Sequence, residues 1–468
     1  MTAELPPGRN LRRAFAYAAM ISGTVAAFLV ICRLGEAHSA TVTAPVHALA
    51  QSHGIGVLGK LLVALLVVIV ASQLLGALFK RIGSPPVIGE IVAGILLGPS
   101  AFGQLAPELS ASLFTPTIMP GLSILSQVGV ILYMFLIGLE VDLRQLARRG
   151  HAAVAISHAS IVAPFLLGAG LSFVLHPRFA GEGVSFTHFA LFSGVSMSVT
   201  AFPVLARILS DRGEQTSRLG ALALSCAAVD DVTAWCLLAL VVSVIGGTAS
   251  DSLWTLALTV AFIAGLWALR PLIERLVGGH DLRGGQIDKA VIGVLTLAVL
   301  GAALTTELIG IHALFGAFAV GVLVPAGSQL AERTTRALSD FVVVLFLPAF
   351  FAFTGLRTRI DLVSGGYEWL ICALVLATAC VGKFGGTLGA ARLTGMSWRD
   401  SARLGIMMNT RGLMELIVLN IGLDLKVISP TLFAIMVIMA VLTTFATTPV
   451  LQLLNRHARQ PLRGELTC

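Results

Sequence analysis

Two adjacent aspartates, Asp230 and Asp231, lie in the middle of an apolar run that extends from Leu219 to Gly247. About 20 apolar residues suffice for a helix to cross a bilayer, so this run is long enough to span one. An ionised side chain at the bilayer centre costs roughly 2.5–3.5 kcal/mol on insertion scales, and neighbouring carboxylates also repel each other. The pair must therefore face a protein interior or a water-filled cavity, where it can hold a cation or carry protons.

The composition excludes a soluble globular protein. The chain is 56% hydrophobic and 12% charged, with a mean hydropathy of +0.92, whereas soluble domains carry about 25% charged residues. The 6 cysteines are scattered without a metal-ligand spacing. No HExxH, GxSxG or Walker motif is present, so we expect neither a cofactor nor an enzyme active site. The sequence predicts an all-α polytopic membrane protein.

Fourteen apolar runs qualify as membrane spans, namely 14–33, 57–79, 86–102, 120–141, 151–176, 188–209, 217–246, 252–272, 288–306, 310–326, 339–356, 367–391, 400–424 and 429–455. With the N-terminus inside, most of the 31 Lys and Arg residues fall in cytoplasmic loops, as the positive-inside rule requires. A missed helix would invert this bias, yet it persists to the end of the chain. Both termini are therefore predicted to be cytoplasmic. The net charge of +7 reflects this topology rather than a nucleic-acid-binding surface.

The order of the spans predicts an inverted repeat. If the first span is an addition, the rest divides into six spans, one linker span at 252–272, and six further spans. An odd number of spans separates the starts of the two halves, so their topologies are opposite. No soluble domain is predicted, because only a short tail, 456–468, follows the last span.

Two spans at corresponding places in the halves contain residues that interrupt a helix. In the sixth span Pro203 removes a backbone donor, which leaves carbonyls near Val199 and Thr200 free. In the thirteenth span the interruption consists of Asn409, Thr410, Arg411 and Gly412. Paired interruptions of this kind point to the binding site of a transporter.

Several polar residues in these spans are candidates for binding an ion. Adjacent helical residues diverge by about 100°, so one aspartate can face a cation while the other meets a basic partner. Lys383 lies within an apolar run and either pairs with an acid or extends to the membrane interface. The carbonyls and hydroxyls at the interruptions suit an alkali cation, but they also suit helix capping. For Glu415, one turn after Arg411, an internal ion pair and an ion-binding role both remain open.

Five motifs together resemble a known family: PPVIGEIVAGILLGPS, FLIGLEVDL, SVTAFPVLARIL, AAVDDVTAW and NTRGLMELIVLNIGL. They are similar to the monovalent cation–proton antiporters of the second cation–proton antiporter group, in particular NapA-like proteins and plant cation/proton exchangers. The resemblance covers roughly residues 57–455. It implies the NhaA-type inverted-repeat fold with two crossed broken helices. The predicted extra N-terminal helix in residues 1–56 departs from the pattern of the family.

The resemblance also implies an organisation into domains. Residues 57–141 and 288–356 would form a scaffold that makes a homodimer. Residues 151–246 and 367–455 would form an ion-translocating core that moves like an elevator. By the same resemblance, Asp231 is the carboxylate that binds cation and proton in turn, Lys383 pairs with Asp230, and Thr200 lies near the ion.

The function that we expect is secondary active antiport of protons against Na⁺ or K⁺, with both ions competing for Asp231. The plant-like motifs favour K⁺, whereas the set of two aspartates and a lysine favours electrogenic Na⁺ exchange. A cation channel and a proton-coupled exporter of an organic cation or antibiotic are the alternatives. The expected location is the bacterial inner membrane.

Overall fold

The structure is a computed structural model that describes residues 56–141, 150–215, 217–246, 249–281 and 289–456. The predicted first span, 14–33, and nearly all of the predicted segments 1–56 and 456–468 lie outside these residues. Within the described ranges, regular structure is helical, apart from one isolated bridge between Ala180 and Ile428. The all-α prediction is confirmed.

The helices of the described residues are numbered in chain order. They are α1 (Val57–Arg81), α2 (Pro86–Leu97), α3 (Phe102–Leu105), α4 (Pro107–Leu113), α5 (Met119–Glu140), α6 (Gly150–Phe179), α7 (Phe186–Ser198), α8 (Phe202–Asp211), α9 (Arg218–Gly246), α10 (Ala249–Asp281), α11 (Lys289–Ile309), α12 (Ala313–Leu323), α13 (Gln329–Phe341), α14 (Leu347–Arg357), α15 (Gly366–Leu393), α16 (Trp398–Met408), α17 (Leu413–Asp424) and α18 (Pro430–Arg456). A π-helical turn, Val342–Phe346, joins α13 to α14, and a 3₁₀ turn, Ile360–Leu362, follows α14.

Thirteen of the predicted spans fall almost entirely on described residues, and each overlaps one or more of these helices. Among the described residues, eleven helical segments are long and apolar enough to cross a membrane, and three of them combine consecutive helices. The pair α16–α17, which is bent by 46°, makes a twelfth. Together with the apolar composition, they show that this is an integral membrane protein.

Two of the predicted spans differ from the observed helices. The span at 310–326 contains only the 11-residue α12, because Gly310 and His312 take positive φ before it and Pro325 follows it. The span predicted at 339–356 starts too late, because the helical segment already begins at Gln329. Its first part, α13, is amphipathic and capped by Ser328, so a reading based on apolar runs misses it.

The helices pack in two groups. Helices α6, α7, α8, α9, α15, α16, α17 and α18 pack on one another, as do α1, α2, α5, α11, α12, α13 and α14. Helix α10 contacts members of both groups. In the second group α2 and α14 approach so closely that a Cβ on Gly355 would lie 2.0 Å from the backbone carbon of Gly94. Glycine permits such close packing of helices in a membrane.

Candidate functional site

The two interrupted helices meet at their interruptions. Helices α7 and α8 are separated by residues 199–201, and α16 and α17 by residues 409–412. The backbone N–H of Ala201 donates to the carbonyl of Thr410 at 2.9 Å, and the hydroxyl of Thr200 donates to the carbonyl of Met408 at 3.2 Å. Pro203 is the second residue of α8, a position that proline tolerates. It therefore starts a helix instead of breaking one from inside, as the sequence had suggested.

Asp230 lies on α9 and is fully paired. Its Oδ2 accepts hydrogen bonds from Lys383 Nζ and Thr200 Oγ1, both at 2.8 Å, and from Ser160 Oγ at 2.6 Å. Its Oδ1 accepts from Ser157 Oγ. Because the carboxylate has one cationic and three hydroxyl donors, its charge is compensated although no part of it is exposed.

Lys383 on α15 is also completely buried. Besides Asp230, its ammonium donates to the carbonyls of Ser160, at 3.0 Å, and of Ser198. A lysine has three donors, and all three are used here. Lys383 therefore does not extend to the membrane interface, because its ammonium lies inside the protein and joins α6, α7 and α9.

Asp231, the next residue on α9, differs sharply from Asp230. It is 2% exposed, and neither of its oxygens has a hydrogen-bond partner among the described residues. The backbone N–H of Phe202, the first residue of α8, lies near the carboxylate. Tyr133 of α5 also lies near it. Asp231 is thus a buried acid with free acceptor oxygens, next to the positive end of a helix dipole.

Arg411 occupies the second interruption and is 0% exposed. Its Nη1 donates to Glu415 at 2.9 Å and to the carbonyl of Ser196 at 3.0 Å, and its Nη2 donates to the carbonyl of Met197 at 2.6 Å. The carbonyls at the carboxyl end of α7 are therefore occupied by Arg411 and Lys383. For Glu415 the structure favours the internal ion pair over a direct role in binding an ion.

The remaining predicted site residues lie around the crossing point. Val199 is buried in the first interruption. The Asn409 amide donates to Cys380 Sγ at 3.6 Å, and its Oδ1 has no partner among the described residues. The Thr410 hydroxyl donates to Thr447 on α18 at 3.4 Å. The structure thus brings all ten predicted residues to one region.

The sequence reading missed the serines that hold Asp230. Ser157 and Ser160 are three residues apart on α6, so they share one helix face. This spacing within an apolar run was a usable signal. The sequence could not show that this face meets α9, because the packing partner of a helix is not encoded in its own periodicity.

This geometry defines a class of proteins: membrane proteins with a pair of crossed interrupted helices and a buried acid at the crossing. The family model for the transmembrane part of sodium/hydrogen exchangers matches residues 69–454. The chain therefore belongs to the sodium/hydrogen exchanger family, which is a family of transporters.

Three relatives, from Synechocystis sp., Arabidopsis thaliana and Saccharomyces cerevisiae, are similar in sequence to at least 80% of this chain. It is 43% identical over 395 residues to the Na⁺/H⁺ antiporter NhaS4 of Synechocystis sp., covering 83% of this chain and 96% of that one. It is 40% identical to cation/H⁺ antiporter 18 of Arabidopsis thaliana, covering 85% of this chain and 49% of the relative. The K⁺/H⁺ antiporter 1 of Saccharomyces cerevisiae is 33% identical, with 80% and 44% covered. The chain thus spans about half the length of these plant and yeast relatives.

A solved structure supports the fold. The sodium proton antiporter MjNhaP1 from Methanocaldococcus jannaschii superposes with a TM-score of 0.62, covering 85% of this chain and 97% of that one. At 15% sequence identity, this similarity shows a shared fold and nothing more specific.

Proposed function

We propose that this protein exchanges protons for Na⁺ or K⁺ across a membrane and that Asp231 carries each ion in turn. One observation carries the proposal: Asp231 is buried with two free carboxylate oxygens, while the neighbouring Asp230 is neutralised by Lys383. A carboxylate without a partner inside a membrane protein needs a cation or a proton. The antiporters among the relatives support this reading.

Competition at a single carboxylate couples the two ions. Asp231 can hold either a cation or a proton, so protonation releases the cation and deprotonation prepares the site for the next one. We propose that backbone carbonyls near Val199 and Thr200 supply further oxygen ligands, which hard cations prefer. The hydroxyl of Thr200 is committed to Asp230 and to Met408. We therefore assign Thr200 to holding Asp230, not to binding the ion itself.

The pairing of Asp230 also bears on charge stoichiometry. If only Asp231 changes its proton, one proton is exchanged for one monovalent cation, and the exchange carries no net charge. If Lys383 also releases its proton during the cycle, the exchange becomes electrogenic. Because Lys383 uses all three of its donors, we propose that it stays protonated.

The two packing groups support a division of the protein into a moving domain and a fixed domain. We propose that 151–246 and 367–455 form the moving core and that 57–141 and 288–356 form a scaffold with the dimer interface. The segment 252–272 would link them, since α10 contacts both groups. The proposed location is the bacterial inner membrane, with both termini in the cytoplasm. Crosslinking of cysteines placed on α1 tests the dimer.

The deciding experiment is dissipation of an imposed proton gradient in proteoliposomes, with Na⁺, K⁺ and Li⁺ added separately. Wild-type protein should respond to at least one cation, and Asp231→Asn should abolish that response. Asp340→Asn is the matched control, because it removes an acid on the exposed face of α13 and should transport normally. Exchange by the Asp231→Asn protein would refute the assignment. A conductance without proton coupling would indicate a channel, and a response confined to organic cations would indicate an exporter.

A further inference from the structure

A second buried polar group near Asp231 has no partner. The indole Nε1 of Trp235 makes no hydrogen bond within the described residues, although Trp235 is only 3% exposed. A buried donor without an acceptor has lost its hydrogen bonds to water and gained none in return, which destabilises the folded protein. An indole N–H can only donate, so Trp235 has a buried donor that an acceptor would satisfy.

Helix geometry indicates which acceptor this is. Trp235 follows Asp231 by four residues on α9, so the two side chains share one face of the helix. Long helical side chains lean towards the amino terminus, and a residue therefore covers the one that precedes it by a turn. The unpaired indole donor and the unpaired carboxylate of Asp231 thus lie one turn apart on the same face of α9. Among the described residues, the charged groups near Asp231 are Asp230 and Lys383, which are paired to each other.

The ring of Trp235 is held by the other group of helices. It packs edge-on against Phe315 of α12, with ring centroids 5.2 Å apart and planes at 90°. Helix α12 belongs to the packing group that contains α5 and α14. A shift of one group past the other would break this contact and free the indole to turn its N–H towards the carboxylate.

We infer that Trp235 is a positioning residue for the transport site, whose indole N–H donates to Asp231 when that carboxylate is ionised and holds no cation. The incoming cation displaces the indole. This inference rests on the proposed function. A hydrogen bond to a charged group favours the group in its charged, free form, so the indole weakens cation binding and promotes cation release. Trp235 sets the affinity for the cation without being one of its ligands.

Substitution of Trp235 by Phe distinguishes the role of the indole N–H from that of the aromatic ring. Trp235→Phe keeps an aromatic ring against Phe315 but loses the donor. In proteoliposomes its KM for the transported cation should fall about ten- to hundredfold, the equilibrium equivalent of one hydrogen bond to a charged group, while the maximal rate does not rise. Trp254→Phe is the matched control, because Trp254 is 68% exposed and its KM should equal that of the wild type. An unchanged or increased KM in Trp235→Phe overturns the inference. Absence of exchange by the wild-type protein contradicts the proposed function instead.

A spectroscopic measurement keeps the inference testable if Trp235→Phe folds poorly. Four of the 5 tryptophans are exposed, namely Trp254, Trp267, Trp369 and Trp398. With these four changed to Phe, fluorescence reports Trp235 alone. Addition of the transported cation should shift its emission to shorter wavelength, because the indole loses its charged acceptor, and Asp231→Asn should remove the shift. Emission that does not respond to the cation, or a shift that persists in Asp231→Asn, overturns the inference.

Discussion

Removal of the ammonium group of Lys383 should destabilise the protein far more than removal of the whole ion pair. Lys383→Met leaves Asp230 as a buried charge with only its three hydroxyl donors, and it leaves the carbonyls of Ser160 and Ser198 without the lysine. Breaking a buried pair on one side costs about 3–5 kcal/mol, because the remaining charge is uncompensated. The single variant should lose this amount of unfolding free energy.

The double variant Asp230→Asn with Lys383→Met removes both charges. Its loss should be only about 1–2 kcal/mol, because the amide oxygen of Asn can still accept from two of the three hydroxyls and its NH₂ group can donate to the oxygen of the third. Reversible denaturant unfolding in detergent micelles, followed by circular dichroism, gives the free energy of each variant. A single variant that loses less than about 1 kcal/mol, or a double variant whose loss equals the sum of the two single losses, would refute the role given to this pair.

Three further predictions concern other contacts. Arg411→Gln should lose about 3–5 kcal/mol, because it leaves Glu415 as a buried charge, and adding Glu415→Gln should restore most of that loss in the same unfolding assay. Arg357→Ala removes an ion pair between α14 and α17 whose side chains are 20% and 59% exposed. This variant should change the free energy of unfolding by less than about 1 kcal/mol. It should still alter the transport rate, because the lost ion pair joins the two helix groups. An unchanged transport rate in proteoliposomes would contradict this role of the ion pair. Gly355→Ala should prevent the close packing of α2 on α14 and sharply reduce the yield of folded protein in size-exclusion chromatography. Gly301→Ala, which meets no atom within 4 Å, should give normal yield, and equal yields of the two would contradict the packing argument.

The sequence predicted most of the spans because the length and hydropathy of a run decide whether it can cross a membrane. It failed where that rule does not apply. Helix α13 is amphipathic, so the apolar run does not include it, and the predicted span begins about ten residues after the helical segment does. Helix α12 is short, at 11 residues, although its composition is fully apolar. Hydropathy alone does not register the backbone turn at His312 that limits this helix.

At the site, the sequence identified the charged residues because each is costly inside a membrane and so demands an explanation. It did not identify Ser157, Ser160 or Trp235, since serine and tryptophan in a helix need no special explanation. It also left open which aspartate has the basic partner, except through the family resemblance. The distances supply that distinction: Lys383 lies 2.8 Å from Asp230, and the oxygens of Asp231 are free.

The central claim is that a cation and a proton compete for the carboxylate of Asp231. Its most direct test is the number of protons released when the transported cation binds to purified protein in weakly buffered detergent solution, read with a pH-sensitive dye. The account predicts that up to one proton leaves for each cation bound by the wild type, and that Asp231→Asn releases none. Cation binding without proton release at every pH, or release that persists in Asp231→Asn, would contradict it.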